Sequence, residues 1–170
     1  SIYVTKRKSI FLGTTKGFNI VYPDKIVHNE IPPQVLLTGF RINNKPVLVG
    51  EKNSPLKKHI SETKEITLIN KQSILSFDFA VMDFTLPEKN RYAYKLEGLN
   101  PGDTNWHYTK SQRSVSYTNL TPGNYVFRVK GANNDGVWNE VGTSLRITIL
   151  PPFWQTTWFR VFSILILIII

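Results

Sequence analysis

The residue types that most often carry chemistry are thinly spread in this chain. His28, His59 and His107 stand far apart, and none has a second ligating side chain at the spacing a metal ion requires, so each reads as a surface or loop residue. No serine lies in the Gly-x-Ser-x-Gly turn that exposes a nucleophilic hydroxyl. Asp78 and Asp83 are close in sequence, but an alternating strand turns their carboxylates different ways, which weakens any acid and base pairing. Asn133-Asn134-Asp135-Gly136 is rich in oxygen donors yet lacks the distal glutamate of a calcium loop, and it reads as a turn. Asn119-Leu120-Thr121 matches a glycosylation sequon but sits in a tight bend. Cysteine is absent, which removes disulfides, thiol nucleophiles and thiolate metal sites. No catalytic constellation emerges, and no cofactor is called for.

The chemistry that remains is aromatic. From Tyr125 the residues alternate, with Tyr125, Phe127 and Val129 on one face and Val126, Arg128 and Lys130 on the other, the period of a half-buried strand. Pro122-Gly123 punctuates the chain just before it, proline presetting φ and glycine tolerating positive φ. The Leu120-x-Pro122-x-x-Tyr125 spacing has the form of a tyrosine corner, in which the ring enters the core of a sandwich and the hydroxyl bonds a backbone group upstream. Tyr94 and Tyr125 are expected as core elements; Tyr117 is less determined. Trp106 and Trp138 either pack over the sandwich edges or present a face on which a sugar could stack.

The elements that must position these residues are strands. Leu75, Phe77 and Phe79 alternate inward with Ser76 and Asp78 outward over Ser73 to Phe79, the cleanest such run in the chain, and predict a central strand. Tyr92, Tyr94 and Leu96 alternate inward over Arg91 to Glu97, with Lys95 and Glu97 outward. Val35 to Ile42 and Lys45 to Val49 flank Asn43-Asn44, whose side chains tolerate positive φ, so a tight hairpin is predicted, with Pro46 keeping its second strand at an edge. Glu65 to Ile69, Asn105 to Thr109, Ser114 to Thr118 and Leu145 to Ile149 complete a set of short strands, the last closing the sandwich. With no helical period before the tail, the fold class is all-β, an immunoglobulin or fibronectin-III-like β-sandwich.

The ordered series Arg91-Tyr92-Ala93-Tyr94-Lys95-Leu96-Glu97-Gly98-Leu99, Trp106, Tyr117-Thr118-Asn119-Leu120, Gly123-Asn124-Tyr125 and Ala132-Asn133-Asn134-Asp135-Gly136-Val137-Trp138 resembles the triple-tyrosine (Y_Y_Y) domain. Tyr94, Tyr117 and Tyr125 stand in its naming positions. The resemblance implies the membrane-proximal part of the periplasmic sensor of a hybrid two-component histidine kinase of polysaccharide-using Bacteroidetes, non-catalytic in itself. It further implies a homodimer that passes a signal to a transmembrane helix, with a carbohydrate ligand contacted mainly by a β-propeller upstream. Leu12-Gly13-Thr14-x-x-Gly17-Phe18 resembles one blade motif of that propeller.

The domain plan is accordingly a blade remnant over 1–30, a linker over 31–34, the sandwich over 35–150, and a juxtamembrane segment with a truncated transmembrane helix over 151–170. Trp154 and Trp158 stand where an interfacial aromatic belt would lie, ahead of the apolar run 161–170. The alternative for that run is a buried β-branched terminal strand. Pro151-Pro152 makes a stiff joint between the last strand and the tail, a signal-coupling position. The formal charge of +9 is scattered, with tight clusters only at Lys6-Arg7-Lys8 and Lys57-Lys58, and it reads as a solvated surface and not as a nucleic-acid footprint. An acidic or sulfated glycan is compatible with it. Two other readings stay open: a membrane-anchored carbohydrate-binding or adhesion sandwich, and a fibronectin-like accessory module of a glycoside hydrolase.

Overall fold

The computed structural model describes residues 2–5, 9–26, 28–52, 54–69, 74–99, 105–155, 158, 159 and 161. The chain divides into two units, Ser1–Glu30 and Ile31–Ile170.

The first unit is an antiparallel sheet of β1 (Ile2–Val4), β2 (Ile10–Thr14) and β3 (Gly17–Val21). A hairpin turns at Gly17, with Thr14 opposite Gly17, and β1 adds a third strand on the other side of β2. Much of its apolar surface is open to solvent, Ile2 and Phe18 among it.

The second unit is all-β. Its strands are β4 (Val35–Ile42), β5 (Lys45–Pro46), β6 (Glu65–Ile69), β7 (Leu75–Val81), β8 (Arg91–Glu97), β9 (His107–Thr109), β10 (Ser114–Tyr117), β11 (Gly123–Ala132) and β12 (Trp138–Leu150). They form a four-stranded sheet in the order β10-β7-β4-β5 and a five-stranded sheet in the order β6-β12-β11-β8-β9. Alternation decides which side chains meet between them. Leu75, Phe77 and Phe79 from β7, Tyr125, Phe127 and Val129 from β11, and Leu145, Ile147 and Ile149 from β12 are all buried in one core. Phe77 stacks on Phe127 of the facing sheet with ring centroids 4.4 Å apart and planes 13° from parallel, and on Phe40 of its own sheet at 5.3 Å. Offset aromatic pairs of this kind add to the area they bury.

Several expectations are corrected in detail. The strand after Asn43-Asn44 is shorter than expected, pairing over Lys45–Pro46 with one more backbone bond from Val47 N–H to the Phe40 carbonyl oxygen at 3.0 Å; the turn itself has Asn43 at φ 50 and Asn44 at φ 65, as a tight hairpin requires. Ser76 points outward but is 1% exposed, its hydroxyl held 2.7 Å from that of Ser116 on the neighbouring strand. The last strand starts at Trp138, well before Leu145, and lies inside its sheet between β11 and β6, the latter pairing parallel to it from Arg146↔Glu65 to Leu150↔Ile69. Strand alternation cannot reveal which neighbours a strand takes. Of the segment 151–170 expected to be a juxtamembrane stretch and a truncated membrane span, residues 156, 157, 160 and 162–170 lie outside the described residues, and no described helix is long and apolar enough to cross a membrane.

Candidate functional site

The corner forms as its spacing predicts. The Tyr125 hydroxyl donates to the carbonyl oxygen of Thr121 at 2.8 Å while the residue is 5% exposed. The left-handed residue of the bend is Asn119, at φ 57, and not Gly123, which opens β11 opposite Ile149. Pro122 is half-buried between them. Tyr94 and Tyr117 are half-buried against the same core, Tyr94 5.9 Å from Phe79 and Tyr117 6.1 Å from Phe127. Among the described residues the Tyr117 hydroxyl has no hydrogen-bond partner although it is buried. Burial pushes that phenol well above its ordinary pKa, and neighbouring Tyr94 adds to the shift.

The two tryptophans lie on the outer face of the five-stranded sheet, gathered around a lysine that alternation had turned outward. Lys130 is 6% exposed, its ammonium 4.8 Å from the Trp106 ring, 5.3 Å from Trp138 and 5.6 Å from Tyr108. Each distance is within cation–π range. Glu140 completes the arrangement, its Oε2 2.7 Å from the Lys130 Nζ. Between Val129↔Thr143 and Gly131↔Asn139, Lys130 alone on β11 faces Glu140, Val141 and Gly142 on β12, and this bulge carries the carboxylate onto the lysine. Gly142 closes it at φ 58, where an added Cβ would lie 2.3 Å from the Val129 carbonyl oxygen. Burial by itself would lower the Lys130 pKa, but the hydrogen bond and charge of Glu140, with Tyr108, outweigh it and hold the ammonium above its ordinary value. Lys95 also lies over Trp106, at 5.0 Å, and shares Glu97 with Arg128 at 2.8 and 2.9 Å. The hydrogen bond from Lys95, opposed by burial and aided by the Arg128 charge, lowers the Glu97 pKa.

A third cluster went unseen in the sequence. As the chain comes into the sandwich, Asn133 Nδ2 donates to the carbonyl of Ile31 at 3.4 Å, Asn139 Nδ2 to that of Pro33 at 2.9 Å, and Thr143 Oγ1 to that of Val35. These three donors sit at the β11–β12 turn and on β12, more than a hundred residues downstream. Asn133 is held rigidly in place, because it is fully buried and its Oδ1 accepts from the N–H groups of Asp135 and Val137 in the turn expected there. Asn139 Oδ1 in turn accepts from Gly142 N–H within the bulge. The signal that could have found this cluster was Asn139 inside an otherwise strand-forming run, since asparagine is poor in strands.

The incoming strand β4 and the outgoing strand β12 therefore start side by side and run in the same sense, with Pro33 beside Asn139 and Val35 beside Thr143. Beyond Leu150, Pro151 is exposed and Pro152 half-buried, and a tight turn over Phe153–Gln155 follows, closed by Gln155 N–H on the Pro152 carbonyl at 2.9 Å. His59 caps the short turn over Ile60–Glu62, and the His107 ring lies 5.8 Å from Tyr94. Asp78 pairs with Arg41 at 2.9 Å. No group of three or more His, Asp or Glu side chains that could hold a metal ion occurs among the described residues.

Residues 83–150 match the family model of the Y_Y_Y domain, a stretch that holds Tyr94, Tyr117 and Tyr125. The chain carries a Y_Y_Y domain. It is 40% identical over 150 residues to histidine kinase P4 of Formosa agariphila, an alignment covering 88% of this chain and 11% of that protein. Among solved structures it resembles the extracellular domain of the putative hybrid two component system BT3049 of B. thetaiotaomicron, with 32% identity and a TM-score of 0.66 over 88% of this chain and 20% of that one. A second neighbour is the extracellular domain of the putative one component system BT4673 of the same organism, with 30% identity and a TM-score of 0.63 over 90% of this chain and 20% of that one. The chain thus spans about a tenth of the curated relative and a fifth of these extracellular domains. Both solved neighbours are extracellular domains of putative signalling systems, and the matched family model is that of a sensor-region domain.

Proposed function

We propose that this Y_Y_Y domain is the signal-transmitting module of a hybrid two-component sensor histidine kinase. Two copies stand side by side across a two-fold axis, a carbohydrate ligand is held mainly by a propeller upstream, and the sandwich relays the resulting displacement to a membrane helix. One observation supports this most strongly: the carbonyls of Ile31, Pro33 and Val35 are each captured by a side chain of the β11–β12 hairpin. A pull arriving through the linker cannot move β4 without breaking three hydrogen bonds, each worth about 0.5–1.5 kcal/mol, or carrying β12 along. β12 ends at Leu150 and meets Pro151-Pro152, whose ring-restricted backbone, followed by the tight turn over Phe153–Gln155, leaves little slack to absorb motion.

The test is a full-length receptor carrying Asn139→Ala with Thr143→Val, compared with one carrying Gly-Gly in place of Pro151-Pro152. Both are expected to bind ligand as the parent does and to lose most ligand-dependent autophosphorylation. Parental phosphorylation in both variants would refute the relay.

A further inference from the structure

Apart from exposed Arg146 on β12, the cations on or beside the outer face of the five-stranded sheet fall into two sets. Lys95, Arg128 and Lys130 are each ion-paired, to Glu97 or Glu140. Arg91, Lys110 and Lys89 make no ion pair with any described residue, and they line a depression made of two hollows that meet at Arg91 and Lys110. Its main part has a volume of about 430 Å³, bounded by Arg91, Tyr108, Thr109, Lys110 and Trp138; an adjoining hollow of about 240 Å³ shares Arg91 and Lys110 and adds Lys89, Glu88 and Asn134. The main part is within the size range of small-molecule sites.

The sheet register explains why a hollow exists there. Ala132 lies opposite both Arg91 and Trp138, and Ala93 lies opposite both Tyr108 and Lys130. In each cross-strand row the central residue is a fully buried alanine flanked by large side chains, so the surface is low along the middle of the row and the long side chains rise on either side of it. Trp138 and Tyr108 meet edge to face at 5.5 Å and 86°, and Lys130 lies between them and Trp106, so both rings are fixed in orientation. Tyr108 is nevertheless 64% exposed. An aromatic wall braced from behind, facing unpaired guanidinium and ammonium groups, matches a ring with apolar C–H faces that carries carboxylate or sulfate substituents.

We propose that this depression is a binding site for an acidic saccharide on the Y_Y_Y domain itself, separate from any site on a propeller and independent of whether the sandwich relays a signal. A sugar ring lies against Tyr108 and Trp138, Arg91 takes the anionic substituent in a two-pronged contact, and Lys110 and Lys89 hold a second acidic group along the groove. The three paired cations of the same face, Lys95, Arg128 and Lys130, take no part because their charges are already engaged.

The test titrates the intact chain with three probes, tetragalacturonate, a sulfated chondroitin tetrasaccharide and neutral maltotetraose, following tryptophan fluorescence and heat. Saturable binding of one or both acidic probes is expected, with none of maltotetraose; which acidic probe binds separates carboxylate from sulfate recognition. Arg91→Ala and Tyr108→Ala should each weaken binding about tenfold, as loss of a charge-assisted contact or a stacking wall does. Lys57→Ala with Lys58→Ala, in a separate basic hollow, should leave it unchanged. No binding of either acidic probe, binding of all three alike, or equal weakening by the Lys57 and Lys58 changes would overturn the assignment, the last by reducing it to general attraction of a polyanion.

Discussion

Of the three tyrosines that name the domain, two present a direct contrast in hydroxyl bonding, and replacing each by phenylalanine isolates that one atom. In Tyr125→Phe the lost hydroxyl is one that donates to the Thr121 carbonyl at 2.8 Å. The net value of such a bond is about 0.5–1.5 kcal/mol, and because Thr121 is exposed, water can take over its carbonyl, so the loss should fall near the middle of that range. In Tyr117→Phe the lost hydroxyl is buried with no partner among the described residues, so its removal deletes a desolvated polar group and no protein hydrogen bond. That variant should be neutral or slightly more stable. The expected gap between the two is about 1 kcal/mol, or roughly 4 °C in Tm. Urea and thermal unfolding followed by circular dichroism measure it, with unchanged m-values confirming that the same surface unfolds. If Tyr117→Phe lost more stability than Tyr125→Phe, the assignment of the corner bond as the one that matters would be wrong.

Other consequences can be checked with the same assay. Because the Tyr117 phenol is raised in the folded state, the fold holds that proton more tightly than the unfolded chain does; its contribution is complete below the unfolded value of about 10 and is lost as pH climbs above it. Unfolding midpoints measured between about pH 8 and 11.5 should therefore fall less steeply in Tyr117→Phe than in the parent. Gly142→Ala should cost at least about 2 kcal/mol, since the left-handed backbone and the Val129 carbonyl both oppose a Cβ there. Lys130→Met keeps the stem but removes the ammonium; with Glu140 exposed and able to rehydrate, the cost should be about 1–2 kcal/mol, accompanied by a shift in tryptophan emission as Trp106 and Trp138 lose their cation.

How much of this was legible follows from what a strand pattern encodes. Alternation from Leu75 to Phe79 and from Tyr125 to Val129 named the core side chains, because period two is a property of one strand alone. The corner and the Asn43-Asn44 turn were also local, set by residues close together in the chain. Pairing order is not local: nothing in Glu65 to Ile69 indicates that it lies parallel to Arg146 to Leu150. Lys130 shows the other limit. Its outward direction was correct, but outward became buried once Trp106, Tyr108 and Trp138 closed over it from separate segments. The same holds for Asn139 and Thr143, whose partners at Pro33 and Val35 are more than a hundred residues away.

A relay of this kind requires the sandwich to move as one body between Pro33 and Leu150. This stretch has no cysteine of its own, so spin labels placed at Gln34→Cys and Leu150→Cys, in a full receptor whose other cysteines have been replaced, can measure that span directly by pulsed electron resonance. The relay predicts a narrow distance within each copy that is the same with and without ligand, while the distance between the two Leu150 positions of a pair changes. A broad distribution within one copy, or a shift there on adding ligand, would contradict it.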